Sequence, residues 1–108
     1  MTPFDEATEF IRSFDCSSAD TMAKLVLSIA ESDAAFGFRE CVTRFDSERM
    51  DLACRLVEYF REHGHDQNIT ENAWEIRQMY PGLYEMGIVA SKAGQRHYDL
   101  HPYQRKTE

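Results

Sequence analysis

Apolar side chains recur every three or four residues along most of this chain, the spacing that places them on one face of an α-helix. The first segment shows this spacing at Phe4, Ala7 and Ile11. Thr2 and Pro3 come directly before them, a capping hydroxyl followed by the residue best suited to the first helical position. The pattern therefore predicts a helix that begins at residue 3.

Two further apolar patterns follow this first helix. Residues 17–31 have an apolar arc so wide that we expect a central helix, covered on most sides and capped by Ser17 or Ser18. Residues 36–45 suit a third helix, interrupted by Gly37. The pattern leaves open whether these are two helices or one bent helix.

The second half of the chain begins with the clearest helical pattern. Asp46 and Ser47 cap a fourth helix over residues 50–63, and Thr70 caps a fifth that ends near Met79. Seven apolar positions on the second, third and fourth helices are expected to form the core. They are Leu25, Val26, Ile29, Val42, Leu56, Val57 and Phe60.

Strand-like sequence occurs only near the C-terminus. Ile88 and Val89 form one short stretch and residues 96–100 another, with Gly94 suited to a turn between them. We therefore predict a mainly α fold, a compact bundle of four or five helices with a small C-terminal β-hairpin, and less than about a fifth of the residues in strands.

Residues 47–101 resemble a winged helix-turn-helix domain. Residues 50–63 are similar to its first helix, residues 70–78 to its positioning helix, and residues 92–95 to the tip of its wing. The resemblance implies a DNA-binding regulator. The chain departs from the family at residues 81–86, where the recognition helix is about half the needed length and carries Glu85 but no lysine or arginine.

The length of 108 residues indicates one domain, and with 43% apolar side chains its composition is not that of a disordered chain. We expect N-terminal helices over residues 1–45, helices plus the hairpin over 47–101, and a frayed tail over 102–108.

No apolar run is long enough to cross a bilayer, and the N-terminus lacks a signal-peptide pattern. With an odd number of cysteines, three, a reduced cytoplasmic setting is expected.

The chain is acidic, with a net charge of −7, and residues 1–49 alone hold ten acidic and five basic side chains, a balance of −5. Such a body repels nucleic acid and membranes and favours basic protein partners, although plain solubility is the simpler explanation of the charge. The acidic residues proposed as contacts share positions at helix ends and on outer helix faces. They are Asp5, Glu6, Glu9, Asp20, Glu31 and Asp33.

Tyrosine and tryptophan crowd the C-terminal half of the chain. These side chains combine a large apolar area with a polar tip, so Trp74, Tyr80 and Tyr84 are candidates for a protein-binding patch, with core packing as the alternative. If the chain instead binds DNA, the side chains available are polar or basic. They are Arg77, Gln78, Lys92, Gln95 and Arg96.

No residues are predicted to be catalytic, to bind a metal or to hold a cofactor, because no known motif spacing occurs. An enzymatic function is not favoured, and Cys16, at a helix N-terminus, is the best candidate for a nucleophile. The sequence favours a small acidic regulator or inhibitor that binds a protein, of the antitoxin-like or phage anti-defence type. A DNA-binding transcriptional regulator and an enzyme without a recognisable motif are the alternatives.

Overall fold

The computed structural model describes residues 1–102, in which all regular secondary structure is α-helical. The chain forms α1 (Pro3–Ser13), α2 (Ser17–Ala30), α3 (Phe38–Val42), α4 (Ser47–His63), α5 (Gln67–Met79) and α6 (Pro81–Leu100). The mainly α class is confirmed. The frayed tail predicted for residues 102–108 lies, from residue 103 on, outside the described residues.

The starts of α1 and α4 follow the capping pattern of the sequence. The Thr2 hydroxyl accepts a hydrogen bond from the Asp5 N–H at 3.1 Å, and the Asp5 carboxylate accepts one from the Thr2 N–H at 3.1 Å. In α4 the Asp46 carboxylate accepts from the Arg49 N–H at 2.8 Å. These bonds satisfy N–H groups that have no partner within the helix.

Two other helix starts differ from prediction. The N-cap of α5 is Asp66 rather than Thr70, so α5 begins about one turn earlier, and the Asp66 carboxylate accepts from the Ile69 N–H at 3.0 Å. Aspartate ranks above threonine as an N-cap, which favours the earlier start. The N-cap of α2 is Cys16, whose side chain makes no capping bond, and Ser17 and Ser18 lie within the helix.

The connection between α2 and α3 resolves the question of one bent helix or two. Residues 31–37 are not helical, and Gly37 precedes α3 as its N-cap. The Glu40 carboxylate accepts a hydrogen bond from the Gly37 N–H at 2.9 Å. The two helices are therefore separate.

Helix α2 lies at the centre of the bundle and contacts α1, α3, α4 and α5. Its Met22, Val26 and Leu27 side chains are fully buried. The wide apolar arc predicted for this helix is therefore covered on several sides, as expected for a central helix.

The predicted core is confirmed at Leu25, Val26 and Leu56, which are buried. Ile29 and Val42 are only partly buried and lie against the edge of the core.

The prediction is wrong for Val57 and Phe60, which are exposed. The buried strip of α4 is narrow, formed by Leu52, Ala53 and Leu56, because α4 lies at the outside of the bundle and contacts α1 and α2 along one face. Apolar residues that widen the stripe beyond that face meet solvent.

The predicted hairpin is wrong, since residues 81–100 form the helix α6 and no strand occurs among residues 1–102. Pro81 occupies the first turn of α6, where its missing N–H costs nothing. The strand-like pair Ile88 and Val89 is followed by the helix-forming run of residues 90–93, which includes two alanines. Two β-branched residues do not outweigh that context.

Of two glycines in α6, Gly87 lies at the contact of this helix with the rest of the molecule, and Gly94 does not. A methyl group at Gly87 would approach the Phe36 ring to 3.0 Å and the Ala34 side chain to 3.1 Å, whereas one at Gly94 would meet nothing within 4 Å. The Ala35 N–H donates to the Gly87 carbonyl at 2.9 Å. The middle of α6 is thus held against the loop between α2 and α3.

Within residues 1–102, none of the helices combines the length and the apolar character that crossing a lipid bilayer demands.

The free energy of unfolding should respond in opposite ways to alanine at two glycines of α6. Gly94→Ala should stabilise the protein by about 0.5–1 kcal/mol, because it removes a helix-disfavouring glycine from an open position. Gly87→Ala should destabilise it through the contact with Phe36. Urea denaturation measures both, and a loss of stability in Gly94→Ala would favour the turn that the hairpin requires.

Adjacent positions of α4 should also differ in their effect on unfolding. Leu56 is 0% exposed and Val57 is 55% exposed. Leu56→Ala should therefore cost about 2–5 kcal/mol of stability, and Val57→Ala less than about 1 kcal/mol. Similar denaturation midpoints for the two variants would show that α4 is rotated from its described position.

Candidate functional site

The acidic candidate Asp5 belongs to a polar cluster between α1 and α5. Its carboxylate accepts hydrogen bonds from the side-chain amides of Asn68 and Asn72, each at 3.0 Å, and from the Thr2 N–H. The hydrogen bond from Asn72 is the largest of the effects that hold the pKa of Asp5 below its ordinary value. Asp5 therefore joins two helices and stays ionised while doing so.

Two other acidic candidates form ion pairs that link elements distant in sequence. The Arg55 guanidinium donates to both oxygens of Glu6, at 2.7 and 3.1 Å, and this hydrogen bonding lowers the pKa of Glu6. Arg77 lies 3.5 Å from the Glu31 carboxylate. Their charge is partly neutralised within the molecule.

Asp20 and Asp33 differ in their surroundings. The Asp20 carboxylate accepts a hydrogen bond from the Tyr80 hydroxyl at 2.8 Å. Asp33 is exposed in the loop between α2 and α3 and makes no hydrogen bond or ion pair with the described residues. The six acidic candidates therefore lie on separate parts of α1, α2 and the loop that follows α2, and do not form one contact surface.

The sixth candidate, Glu9, lies on a surface that is built jointly by α1 and α5. Arg12 pairs with Glu9 at 2.9 Å and also with Glu75. Trp74 stands beside them with 59% of its surface exposed. We call this region the Trp74 surface and define it by Glu9, Arg12, Glu71, Trp74, Glu75 and Met79.

The helical repeat of α5 explains why Trp74 points outward. Glu71, Trp74 and Glu75 are three and four residues apart, so they share one face. Ile69 and Ile76 occupy the opposite face and are fully buried in the core. Burial of those two isoleucines leaves the tryptophan in solvent between two carboxylates.

A polar hollow adjoins the Trp74 surface at the contact between α1 and α5. Asp5, Glu9, Glu71 and Glu75 are among the residues that line it. Thr8 also lines it and is 2% exposed, yet its hydroxyl has no hydrogen-bond partner within residues 1–102. Four carboxylates around one hollow give it a negative potential, which Arg12 only partly offsets.

Comparison with protein-family models, with curated proteins and with solved structures found no match for this chain. The function of the protein must therefore be inferred from its own side chains.

The remaining aromatic candidates are built into the fold. Tyr80 is half-buried, and burial together with its hydrogen bond to Asp20 raises its pKa to about 12. Tyr84 is also half-buried, with the Arg77 guanidinium 4.0 Å from the centre of its ring. Unlike Trp74, these two tyrosines already have partners that use their polar or aromatic surface.

The side chains proposed for DNA binding are divided between two helices. Arg77 is engaged by Glu31 and Tyr84, and Gln78 is exposed on α5. The other three candidates, Lys92, Gln95 and Arg96, are exposed on the second half of α6. The Gln95 side chain donates a hydrogen bond to Asp99 at 2.9 Å. These residues do not form a wing, because the segment predicted to be the wing is helical.

Among the described side chains, histidine, cysteine, aspartate and glutamate nowhere gather in a group of three that could hold a metal ion. Cys16, the nucleophile candidate, is exposed at the start of α2.

The sequence pattern indicates Trp74 and Glu9 as binding residues, but it does not single out Arg12, Glu71, Glu75 and Met79. The spacing of Glu71, Trp74 and Glu75 on one helix face is a signal that identifies part of this set. The pairing of Arg12 with Glu75 joins residues 63 positions apart, and only the packing of α1 on α5 reveals it.

The fluorescence of Trp74, the only tryptophan in the chain, should report the charge of its surroundings. At low ionic strength, the anionic quencher iodide should be less effective than neutral acrylamide, because neighbouring carboxylates repel it. The Glu71→Gln/Glu75→Gln variant should raise the iodide quenching constant about two- to threefold. Equal quenching by iodide in the variant and the original protein would contradict a negative potential at this surface.

Proposed function

We propose that this protein is a regulator or inhibitor without enzymatic activity, which acts by binding a basic segment of another protein at the Trp74 surface. The observation that supports this most directly is the exposure of Trp74 between Glu71 and Glu75. Exposed tryptophan is uncommon on a surface that only faces water, and tryptophan is enriched among the residues that dominate binding energy.

The chemistry of the surface matches arginine or lysine side chains. A guanidinium group can stack on the indole ring while it donates paired hydrogen bonds to a neighbouring carboxylate. Glu71 and Glu75 flank the ring on α5, and Glu9 lies across from them on α1. A partner with several basic side chains would engage Glu71 and the indole ring together and would compete with Arg12 for Glu9 and Glu75.

Nucleic-acid-binding proteins contact phosphates through segments of this kind, rich in lysine and arginine. A protein of net charge −7 that covers one would compete with the nucleic acid for it. The proposed activity is therefore inhibition by occupancy, the mode of an antitoxin-like or anti-defence protein.

The Trp74 surface narrows the set of acidic residues proposed to contact a partner. Glu9 belongs to the surface and Asp5 lines the adjoining hollow. Glu6, Asp20 and Glu31 have partners within the protein that stabilise the bundle. We therefore expect reversal of these three to affect folding more than binding.

Direct binding of DNA by this chain is a weaker candidate. It rests on the winged-helix resemblance, and helix α6 occupies the place of the wing that this resemblance requires. No observation on the described residues favours it over protein binding.

A nona-arginine peptide serves as the probe, with binding measured by Trp74 fluorescence and by calorimetry. Trp74→Ala, measured by calorimetry, should weaken binding about tenfold or more, equivalent to about 1.4 kcal/mol. Glu71→Lys/Glu75→Lys should weaken it further, and binding of the original protein should decline as salt is raised.

The matched control is Glu48→Lys/Glu62→Lys, which changes the net charge equally on exposed positions of α4. Equal loss of binding in the two double variants would show that only total charge matters, and the proposed site would be wrong. Tight, salt-dependent binding of the original protein to duplex DNA would contradict the proposed function itself.

A further inference from the structure

Helix α6 carries an apolar face that no described part of the chain covers. Met86 is 63% exposed and Val89 is 65% exposed, and the two lie about one helical turn apart, so they form a contiguous apolar patch rather than isolated exposed residues. We call this region the outer face of α6 and define it by Gly82, Glu85, Met86, Val89, Ala90 and Ala93.

The opposite side of α6 holds the helix to the bundle. Gly87 is buried against Phe36, and Tyr84 lies under Arg77 of α5. Because Gly87 and Tyr84 fix the rotation of α6 about its axis, the outer face is held toward solvent. From Lys92 to Leu100 every residue of α6 is exposed, so this end of the helix extends beyond the bundle.

The spacing of the outer face is that of a helix that pairs with another helix. Gly82, Met86, Val89 and Ala93 are separated by four, three and four residues, the alternation of a two-helix seam. Glycine and alanine at the two ends of this seam allow two helix backbones to approach closely. A seam of this kind needs a second helix to bury it.

We propose that the second helix is α6 of another copy of this chain, packed antiparallel on the first. In a two-fold symmetric pair, Met86 would lie opposite the partner's Val89 and Gly82 opposite the partner's Ala93. Each contact then occurs twice. This surface shares no residue with the Trp74 surface, so the proposal stands independently of the proposed function.

Charge complementarity selects this occupant and this register. The Glu85 and Lys92 positions flank the seam on the same side, and the antiparallel arrangement brings Glu85 next to the partner's Lys92 at both ends. Neither side chain has an ion-pair partner within residues 1–102. Pairing between copies would supply one for each.

Neighbouring registers are less favourable for reasons that the sequence shows directly. If one α6 is shifted along the other by seven residues, Glu85 lies opposite the partner's Asp99, and the two copies of Lys92 lie opposite each other. Like charges opposite one another destabilise helix pairs. A further shift in the same direction pairs Lys92 with the partner's Asp99 but places Arg96 within the apolar seam.

The overlap in this register covers residues 82–93 of each copy, about 18 Å of helix at 1.5 Å per residue. An interface this short falls below the usual size for tight complexes. The dimer should therefore be weak, with a dissociation constant between about 10 μM and 1 mM.

Sedimentation equilibrium of the full chain over a range of concentrations tests the proposal. The original protein should approach a dimer as concentration rises to about 1 mM. Glu85→Lys and Lys92→Glu should each weaken dimerisation about tenfold, because each places like charges together twice. The double variant Glu85→Lys/Lys92→Glu should restore it, because the attraction is re-formed with the signs exchanged.

Two controls separate the register from general effects. Asp33→Lys changes the net charge by the same amount as Glu85→Lys, but at an exposed loop position, and should leave dimerisation unchanged. Circular dichroism should show that all variants keep their helical content. Val89→Asp, which places a charge in the seam, should give a monomer that remains folded.

A protein that stays monomeric up to about 1 mM would overturn the proposal and leave the outer face to a different protein. A dimer that tolerates Val89→Asp would place the contact elsewhere. A dimer that Val89→Asp disrupts, but that the single charge reversals do not weaken, would contradict the antiparallel register.

Discussion

The fold depends on one requirement, that the apolar surface of α2 be removed from water on several sides. Met22 and Val26 share one face of this helix, Leu27 lies on another, and all three are fully buried. Burying a side chain of this kind contributes about 1.5–3 kcal/mol, so a helix that is apolar over most of its surface needs several neighbours. Helices α1, α3, α4 and α5 supply them, and each must turn its own apolar stripe inward to do so.

That requirement determines which surfaces remain available for binding. Once Ile69 and Ile76 of α5 face α2, the helical repeat places Trp74 and its neighbouring carboxylates in solvent. The contact between α1 and α5 is then made by a polar cluster, in which Asp5 accepts hydrogen bonds from two asparagines. On this side of the molecule, the Asp5 carboxylate therefore holds helices together, whereas the carboxylates beside Trp74 face solvent, where a partner can reach them.

Helix α6 is not among the helices that cover the apolar surface of α2. It contacts α5 and the loop around Phe36, where Gly87 permits a close approach, and its outer face stays uncovered. The Trp74 surface and the outer face of α6 offer different chemistry. One is aromatic and acidic, suited to a basic partner, and the other is apolar with balanced charge, suited to a second copy of itself.

Local sequence alone determined the helical class, the capped starts of α1 and α4, and the central place of α2. These features depend on interactions within a few residues, such as the exchange of hydrogen bonds between Thr2 and Asp5, or on the width of an apolar stripe. The residue pattern expressed them directly.

Tertiary structure decided the rest. The apolar pair Ile88–Val89 suits a strand as well as a helix, and only the surrounding helix and its packing at Gly87 exclude the strand. Val57 reads as core but lies beyond the narrow contact of α4. The Trp74 surface joins Arg12 to Glu75 across 63 residues, because such a site is produced by helix packing rather than by any local pattern.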